Sequence, residues 1–393
     1  MSKGLIDQER KYILQTYKRL PIVIDKAEGC RIWDTDGREY LDFLSGIAVN
    51  ALGHGHPLIL EALATQAGKY MHVSNYFYQE PQIKLAEALC EVSGMDRVFF
   101  TNSGTESTEG AVKLIRRWGN GRGKREIVAF TGGFHGRSYA ALSMMDKPQY
   151  KEGMGPFLED TRVIPYNDRE ALRATVNDKT SAVVLEFLQG EGGIVAAAPD
   201  FVDMIVRLRE GYNFMLVADE IQCGVGRTGT FFGYEHYGIK PDIVTLAKGM
   251  GGGMPLGALL ANEKLADVWQ PGMHGTTYGG NAVACATGLA VINELKDGLL
   301  DKVRERGAYL MDRLLDIKKI FPGKVAEVRG KGLMAGLLLN GEAAPLVRKL
   351  LDKGVISNAA SGNVLRLVPP LIITNEDIDE FHNKLKEALA ELD

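Results

Sequence analysis

An α/β fold, with a mostly parallel sheet covered by helices on both faces, is the architecture that the sequence predicts. Three observations carry this expectation. Short, nearly continuous apolar runs recur between residues 97 and 247: RVFFT, EIVAF, SAVVLEF, FMLVAD and DIVTLA. Helical stretches lie between several of them, and strands buried on both faces by crossover helices read as unbroken apolar runs rather than as alternation. The composition, 45% hydrophobic and 24% charged over 393 residues, supplies a large core without disulfide or metal staples and suits one large domain plus a smaller one.

The elements follow in order. Residues 1–21 are polar, helical in pattern, and lack the apolar core of a signal peptide. Residues 22–43 carry two short alternating runs on either side of a turn at Thr35-Asp36-Gly37, the pattern of a hairpin. PQIKLAEALCEVS reads as a helix, RVFFT as a strand, and TESTEGAVKLIRRW as a helix with Ala111, Leu114, Ile115 and Trp118 on one face. PDFVDMIVRLREGY is a further helix between strands. After about residue 280 the character shifts to α+β: one long helix over roughly 281–318, then VAEVRGKGLMAGLLL, a helix near 343–353, VLRLVPPL and a final helix.

Bulk properties exclude several classes. A formal net charge of −4 argues against a broad nucleic-acid surface. Cys30, Cys90, Cys223 and Cys285 form no CxxC pair, so no metal is expected and reduced thiols are the simplest reading. No apolar run approaches the roughly 20 residues that span a bilayer. A soluble, cytoplasmic protein is the expectation. The 46 glycines cluster in short loops, which suggests close backbone approach to a ligand.

In sheets of this kind ligands bind beyond the carboxyl ends of the strands. After RVFF comes Thr101-Asn102-Ser103-Gly104-Thr105 at a helix N-terminus, either an anion site or an ordinary cap. After EIVAF comes TGGFHGR, with Phe134, His135 and Arg137. After SAVVLEF comes LQGEGG, with Glu186 and Glu191. After FMLVA come Asp219, Glu220 and Gln222; an acid closing an apolar strand is costly unless paired. After DIVTLA comes Lys248, followed by Gly249, Gly251, Gly252 and Gly253. Each feature alone has an ordinary explanation. Together they form one device: a lysine that can form a Schiff base with an aldehyde, an acid to keep a pyridine nitrogen protonated, an aromatic ring to stack on, and a phosphate site. The cofactor these parts imply is pyridoxal 5'-phosphate, with glycines leaving room beside Lys248.

At these residues the chain resembles the class III aminotransferases, and within them the acetylornithine/succinylornithine branch. The stretches that carry the resemblance are YLDFLSGIAVNALGHGHP, HVSNYFY, FTNSGTE, FHGR, QGEGG, ADEIQCGVGRTG, TLAKGMGGGMPLGA, HGTTYGGNAVACA and VLRLVPPL, between about residues 17 and 370. The resemblance implies an aspartate-aminotransferase-like fold (pyridoxal-phosphate fold type I). Its central sheet has seven strands; residues 51–280 form a large cofactor-binding domain, and residues 1–50 with 281–393 form a small one. It implies Lys248 as the catalytic lysine, Asp219 at the ring nitrogen, Gln222 near the phenolic oxygen and Phe134 stacked on the ring. Ser103, Gly104 and Thr105 match the phosphate loop. Thr277 matches a phosphate ligand reaching the neighbouring subunit's cofactor, which makes the active unit a homodimer. Arg137 matches a carboxylate-gripping arginine, Arg366 a second arginine for the α-carboxylate of glutamate, and Glu191 the acid that pairs with Arg366 when the other substrate is bound. Tyr17 and Asn75 fall where substrate-side groups lie.

Departures from the family pattern occur at ESTEGAVK, where Thr108 alters local hydrogen bonding and Gly110 weakens the helix, and at Tyr139, where smaller residues are usual. The implied reaction moves the terminal amine of N2-acetylornithine to 2-oxoglutarate, giving N-acetylglutamate 5-semialdehyde and glutamate, a step of arginine biosynthesis. Ornithine, succinylornithine and 4-aminobutyrate are alternative donors, and the absence of a tyrosine near Gly46-Ile47 favours an acylated one. A nucleotide-binding module is a remote alternative, because GMGGGMPLG follows a strand but has no GxxxxGK[ST] pattern.

Overall fold

The computed structural model describes residues 2–392. Its centre is a seven-stranded sheet in the order 97–101, 257–261, 243–246, 215–219, 180–185, 126–130 and 161–164. Strand 257–261 runs antiparallel to both neighbours, and all the other pairings are parallel. The apolar runs split by parity, as a pleat requires. Val128, Val183, Leu185, Leu216, Ala218, Val244 and Leu246 pack into one core cluster, and Ile127, Ala129, Ala182, Val184, Met215, Val217 and Ile243 into another. Helix Gly104–Asn120 covers the second face with Ala111, Leu114, Ile115 and Trp118, the four residues that the periodicity places together. Each buried valine, leucine or isoleucine side chain among these contributes about 1.5–3 kcal/mol.

A four-stranded antiparallel sheet, ordered 325–331, 334–339, 364–367, 358–360, brings Arg366 towards the large sheet. A third sheet joins 24–28, 31–34 and 39–42 to the short strand 355–356, so the two ends of the chain are hydrogen-bonded together. Helix Ala282–Glu294 packs against Pro57–Lys69, Glu80–Ser93 and the turn Lys248–Gly251.

Three sequence expectations need correction. The long helix over 281–318 is two helices, Ala282–Glu294 and Leu300–Ile320, separated by a bulged turn. Apolar periodicity continues on both sides, but Gly298 sits at φ 95°, a conformation open to glycine and closed to most other residues. The 22–43 unit has three strands rather than two, because 24–28 pairs with 31–34. The N-terminal helix ends at Tyr12. The departures also resolve: Thr108 Oγ1 is buried without a partner, while a Cβ on Gly110 would meet nothing closer than 3.5 Å, so that glycine is not forced by packing.

Candidate active site

The turns that follow the carboxyl ends of four parallel strands, 97–101, 126–130, 215–219 and 243–246, meet at one edge of the sheet. With Val49 and Gly253–Leu256 they line a cavity of about 430 Å³, to which they contribute Asn102–Thr105, Phe134–Arg137, Ile221, Ala247 and Lys248. A cavity of about 570 Å³ between helices 57–69 and 282–294 is lined by no cation and contains none of these groups.

Lys248 opens a short 3-10 turn at φ 46°, an uncommon backbone state for a residue with a side chain. Burial lowers its amine below the usual lysine range, the nearby Arg366 charge adds to this, and Asp219, Glu186 and Glu191 oppose it. No hydrogen-bond or ion-pair partner holds the amine among the described residues. The glycines around it do different work from that expected. Gly253 lines the cavity, but a Cβ on Gly252 would lie 2.7 Å from Ile59 Cδ1, and Gly249 faces Ala48 and Ala51. Most of the glycine cluster therefore permits tight packing and a left-handed turn beneath the lysine.

Asp219 is 3% exposed, and the partner that its cost demanded is His135, whose Nδ1 lies 2.6 Å from Asp219 Oδ2. The ring nitrogen is the donor, since an ionised carboxylate only accepts. Burial disfavours a charged His135, but the Asp219 hydrogen bond and charge outweigh this and raise its pKa. Asp219 Oδ1 accepts from the Ile221 N–H at 3.1 Å. Behind them, Glu186 accepts from the N–H groups of Phe134 (2.8 Å) and Gly190 (3.3 Å), joining the FHGR turn to the QGEGG turn. Burial pushes the Glu186 carboxyl up to about 7, with His135 opposing. Glu220 is likewise pushed up to about 7 by burial, while the N–H groups of Gly233 and Tyr234 hold it at 2.7 and 2.9 Å.

Helix 104–120 presents its first turn to the cavity. The Ser103 hydroxyl caps it by accepting from Glu106 N at 3.4 Å, and the Glu106 carboxylate accepts from Asn102 N at 2.6 Å. The N–H groups of Gly104 and Thr105, in the first turn, have no intrahelical acceptor, and both residues line the cavity, which makes this helix end a candidate anion site. Thr105 Oγ1 is tied to Ser138 Oγ at 2.6 Å.

Arg366 is 1% exposed and binds Glu191 at 2.7 Å, Asn358 at 3.1 Å and Gln222 at 3.3 Å. A Cβ on Gly190 would come within 2.1 Å of Gln222 Oε1, so the first glycine of QGEGG is needed for Gln222 to reach this network. Burial alone would raise the Glu191 carboxyl, but the charge and hydrogen bond of Arg366, with Lys147 and Lys248, hold it below the usual range. Arg137 has no such partner. Its guanidinium lies 3.8 Å from the centre of the Tyr150 ring and 5.5 Å from that of Phe134.

Ser103, Gly104, Thr105, Phe134, Arg137 and Lys248 thus share one cavity, with Asp219, Gln222, Glu191 and Arg366 in the networks around it. Three sequence candidates lie apart. Thr277 is exposed and does not line the cavity; its neighbour Thr276 accepts from Asn102 Nδ2 at 3.2 Å. Asn75 donates to the carbonyls of Gly279 (3.0 Å) and Thr276 (3.3 Å). Tyr17 is 74% exposed in a separate pocket of the N-terminal segment. Sequence reasoning missed His135 as the partner of Asp219 and missed Tyr150. The first had a signal, a histidine in FHGR with no other assigned task; the second had none.

The donor set fits pyridoxal phosphate. An unpartnered amine, an aromatic face and a helix N-terminus share one cavity, and a buried acid held by His135 lies in the network around it. Comparisons with known proteins agree. The chain belongs to the class III aminotransferases, whose family description matches residues 12–389, and pyridoxal phosphate is the cofactor of that class. It is 47% identical to an acetylornithine aminotransferase from Caldanaerobacter subterraneus over 99% of this chain and 100% of that one. An ornithine aminotransferase from Toxoplasma gondii, solved with partial occupancy of pyridoxal phosphate at its active site, superposes with a TM-score of 0.95 at 31% identity, covering 99% of this chain and 94% of that one. The N-acetylornithine aminotransferase of Stenotrophomonas maltophilia gives a TM-score of 0.84 at 36% identity, with 98% of each chain covered.

Proposed function

We propose that the protein transfers the terminal amino group of N2-acetylornithine to 2-oxoglutarate, giving N-acetylglutamate 5-semialdehyde and glutamate, as a step of arginine biosynthesis. The observation that carries this reading is the contrast between two arginines: Arg366 is neutralised by Glu191, and Arg137 has no acid partner. A donor with one carboxylate needs one free guanidinium. An acceptor with two needs both, and Glu191 must then swing aside. The relatives named for acetylornithine support the acylated donor.

Pyridoxal phosphate, when bound, supplies an aldehyde for the amine and an electron-accepting ring. The residues of the chain do the rest. The Lys248 amine, its pKa lowered by burial, has a neutral fraction able to take a proton from the amine-bearing substrate carbon and return it as general acid. Asp219, fixed by His135 and the Ile221 N–H, would hold the ring nitrogen, its negative charge favouring the protonated ring. Phe134 would stack on the ring, Gln222 would lie near its phenolic oxygen, and Ser103–Thr105 would hold the phosphate. Arg137 and Arg366 pair with carboxylates in bidentate fashion.

The assembly we propose is a homodimer in which Thr277 reaches the cofactor phosphate of the neighbouring subunit; its exposure beside the Asn102 turn supports this. Tyr17 and Asn75 are assigned to the substrate side of that assembly. We divide the chain into a large domain over 51–280 and a small one from 1–50 with 281–393, a grouping supported by the pairing of strands 39–42 and 355–356. A cytoplasmic location is in keeping with four free cysteines. Borohydride reduction of the cofactor-loaded protein followed by peptide mass mapping tests the core of the reading. The pyridoxyl label is expected on Lys248, and a label on another lysine would overturn it.

A further inference from the structure

Arg137 sits on a turn whose backbone is pinned. Gly136 has φ 126°, a Cβ there would meet Thr105 Oγ1 at 2.4 Å, and the Ser138 N–H donates to the same hydroxyl at 3.1 Å. The side chain is not pinned in this way. It is exposed and has no hydrogen bond or ion pair among the described residues. A free arginine would spread over many rotamers, and gripping a carboxylate would cost that entropy. Two aromatic rings oppose this, and the nearer by far is Tyr150, its centre 3.8 Å from the guanidinium carbon against 5.5 Å for Phe134.

We propose that Tyr150 is a positioning residue for Arg137, a platform that holds the guanidinium face-on and leaves its N–H edge aimed at the substrate carboxylate. A guanidinium stacks on an aromatic ring through its flat face, and its five N–H donors lie in the plane, so stacking and bidentate pairing are compatible. The platform is itself fixed. Tyr150 ends the 3-10 turn Pro148–Tyr150, closed by Tyr150 N to Lys147 O at 3.1 Å and Lys151 N to Pro148 O at 2.8 Å. Lys151 Nζ donates to Met145 O at 3.1 Å, and Phe134 meets the ring edge-on with centroids 6.2 Å apart. The Tyr150 hydroxyl has no hydrogen-bond partner among the described residues, so the ring does the work. Lys147, its ammonium 5.6 Å from the same ring, is a second and more distant cation on the platform.

The inference rests on Arg137 as the carboxylate grip. Its test is calorimetric binding of glutarate, an unreactive dicarboxylate of the acceptor's length, to the cofactor-loaded protein. Tyr150→Ala and Tyr150→Leu should each weaken glutarate binding about two- to fivefold, whereas Tyr150→Phe, which keeps the ring, should bind glutarate as the parent does. In steady state the loss should appear in KM for both carboxylate substrates more than in kcat. In an Arg137→Ala background, Tyr150→Ala should cost nothing further. Equal losses from Tyr150→Phe and Tyr150→Ala, or additive losses in the double variant, would overturn the platform role. Unchanged glutarate binding in Arg137→Ala alone would overturn the grip itself, and with it the inference. Thermal melts matching the parent protein exclude misfolding as the cause.

Discussion

Replacing Arg366 by methionine should divide the two half-reactions. The guanidinium is 1% exposed and its visible partners are Glu191, Asn358 and Gln222. In the proposed cycle the acetylornithine half leaves this network intact. The 2-oxoglutarate half breaks it, so that Arg366 can take the α-carboxylate. A charge-assisted pair lost from a largely dry site is worth about 1.5–3 kcal/mol. At 1.36 kcal/mol per decade, the acceptor half-reaction should slow by about ten- to a hundredfold, and the donor half by no more than about threefold. Removing Arg366 also leaves Glu191 without its main counter-charge, so the double variant Arg366→Met/Glu191→Gln separates the lost grip from a stranded carboxylate. It should recover any donor-half loss and none of the acceptor-half loss. Single-turnover spectra, following the aldehyde and amine forms of the cofactor separately, measure each half. Equal slowing of both halves in the single variant, persisting in the double, would refute the division of labour between Arg137 and Arg366.

Further expectations follow from the same network. Glu191→Gln should unmask Arg366 and raise the reactivity of donors with an extra carboxylate, read as kcat/KM for glutamate against acetylornithine. Asp219→Asn should keep its geometry but lose the charge facing the ring nitrogen, lowering turnover by orders of magnitude; a half-reaction within about tenfold of the parent would assign Asp219 another role. Glu220 links site to stability: its folded pKa of about 7 lies above the ordinary 4.5, so the folded state holds the proton more tightly and stability falls as pH rises from about 4.5 to 7, then levels. The loss is on the order of 3 kcal/mol; Glu186, raised to about 7 as well, adds a loss of the same sign in the same window, so Glu220→Gln should make that part of a melting-temperature profile shallower without abolishing it, and an unchanged slope would place the titration elsewhere.

How much of this was legible in the chain depends on the range of the interaction. Lys248 and Asp219 could be read because strand ends are marked locally, by an apolar run and the polar residue that stops it. That both faces of the sheet are covered could be read from the unbroken apolar character of those runs. The Arg366–Glu191 pair joins residues 175 apart, and only resemblance to the family connected them. His135 on Asp219 and Tyr150 under Arg137 are side-chain meetings across turns, set by tertiary packing and not by any period in the sequence. The break at Gly298 was hidden because apolar spacing continues through it, leaving one glycine as the sole sign. The glycines after Lys248 were visible, but their main task, tight packing beneath the lysine, depends on Ile59 and Ala51 from distant segments.

The most direct measurement is a panel of amino donors assayed with 2-oxoglutarate for glutamate formation: N2-acetylornithine, N2-succinylornithine, ornithine and 4-aminobutyrate. The account predicts the highest kcat/KM for acetylornithine, at least tenfold above ornithine, and loss of nearly all turnover in Lys248→Ala. Preference for ornithine or 4-aminobutyrate, or near-normal turnover without Lys248, would contradict it.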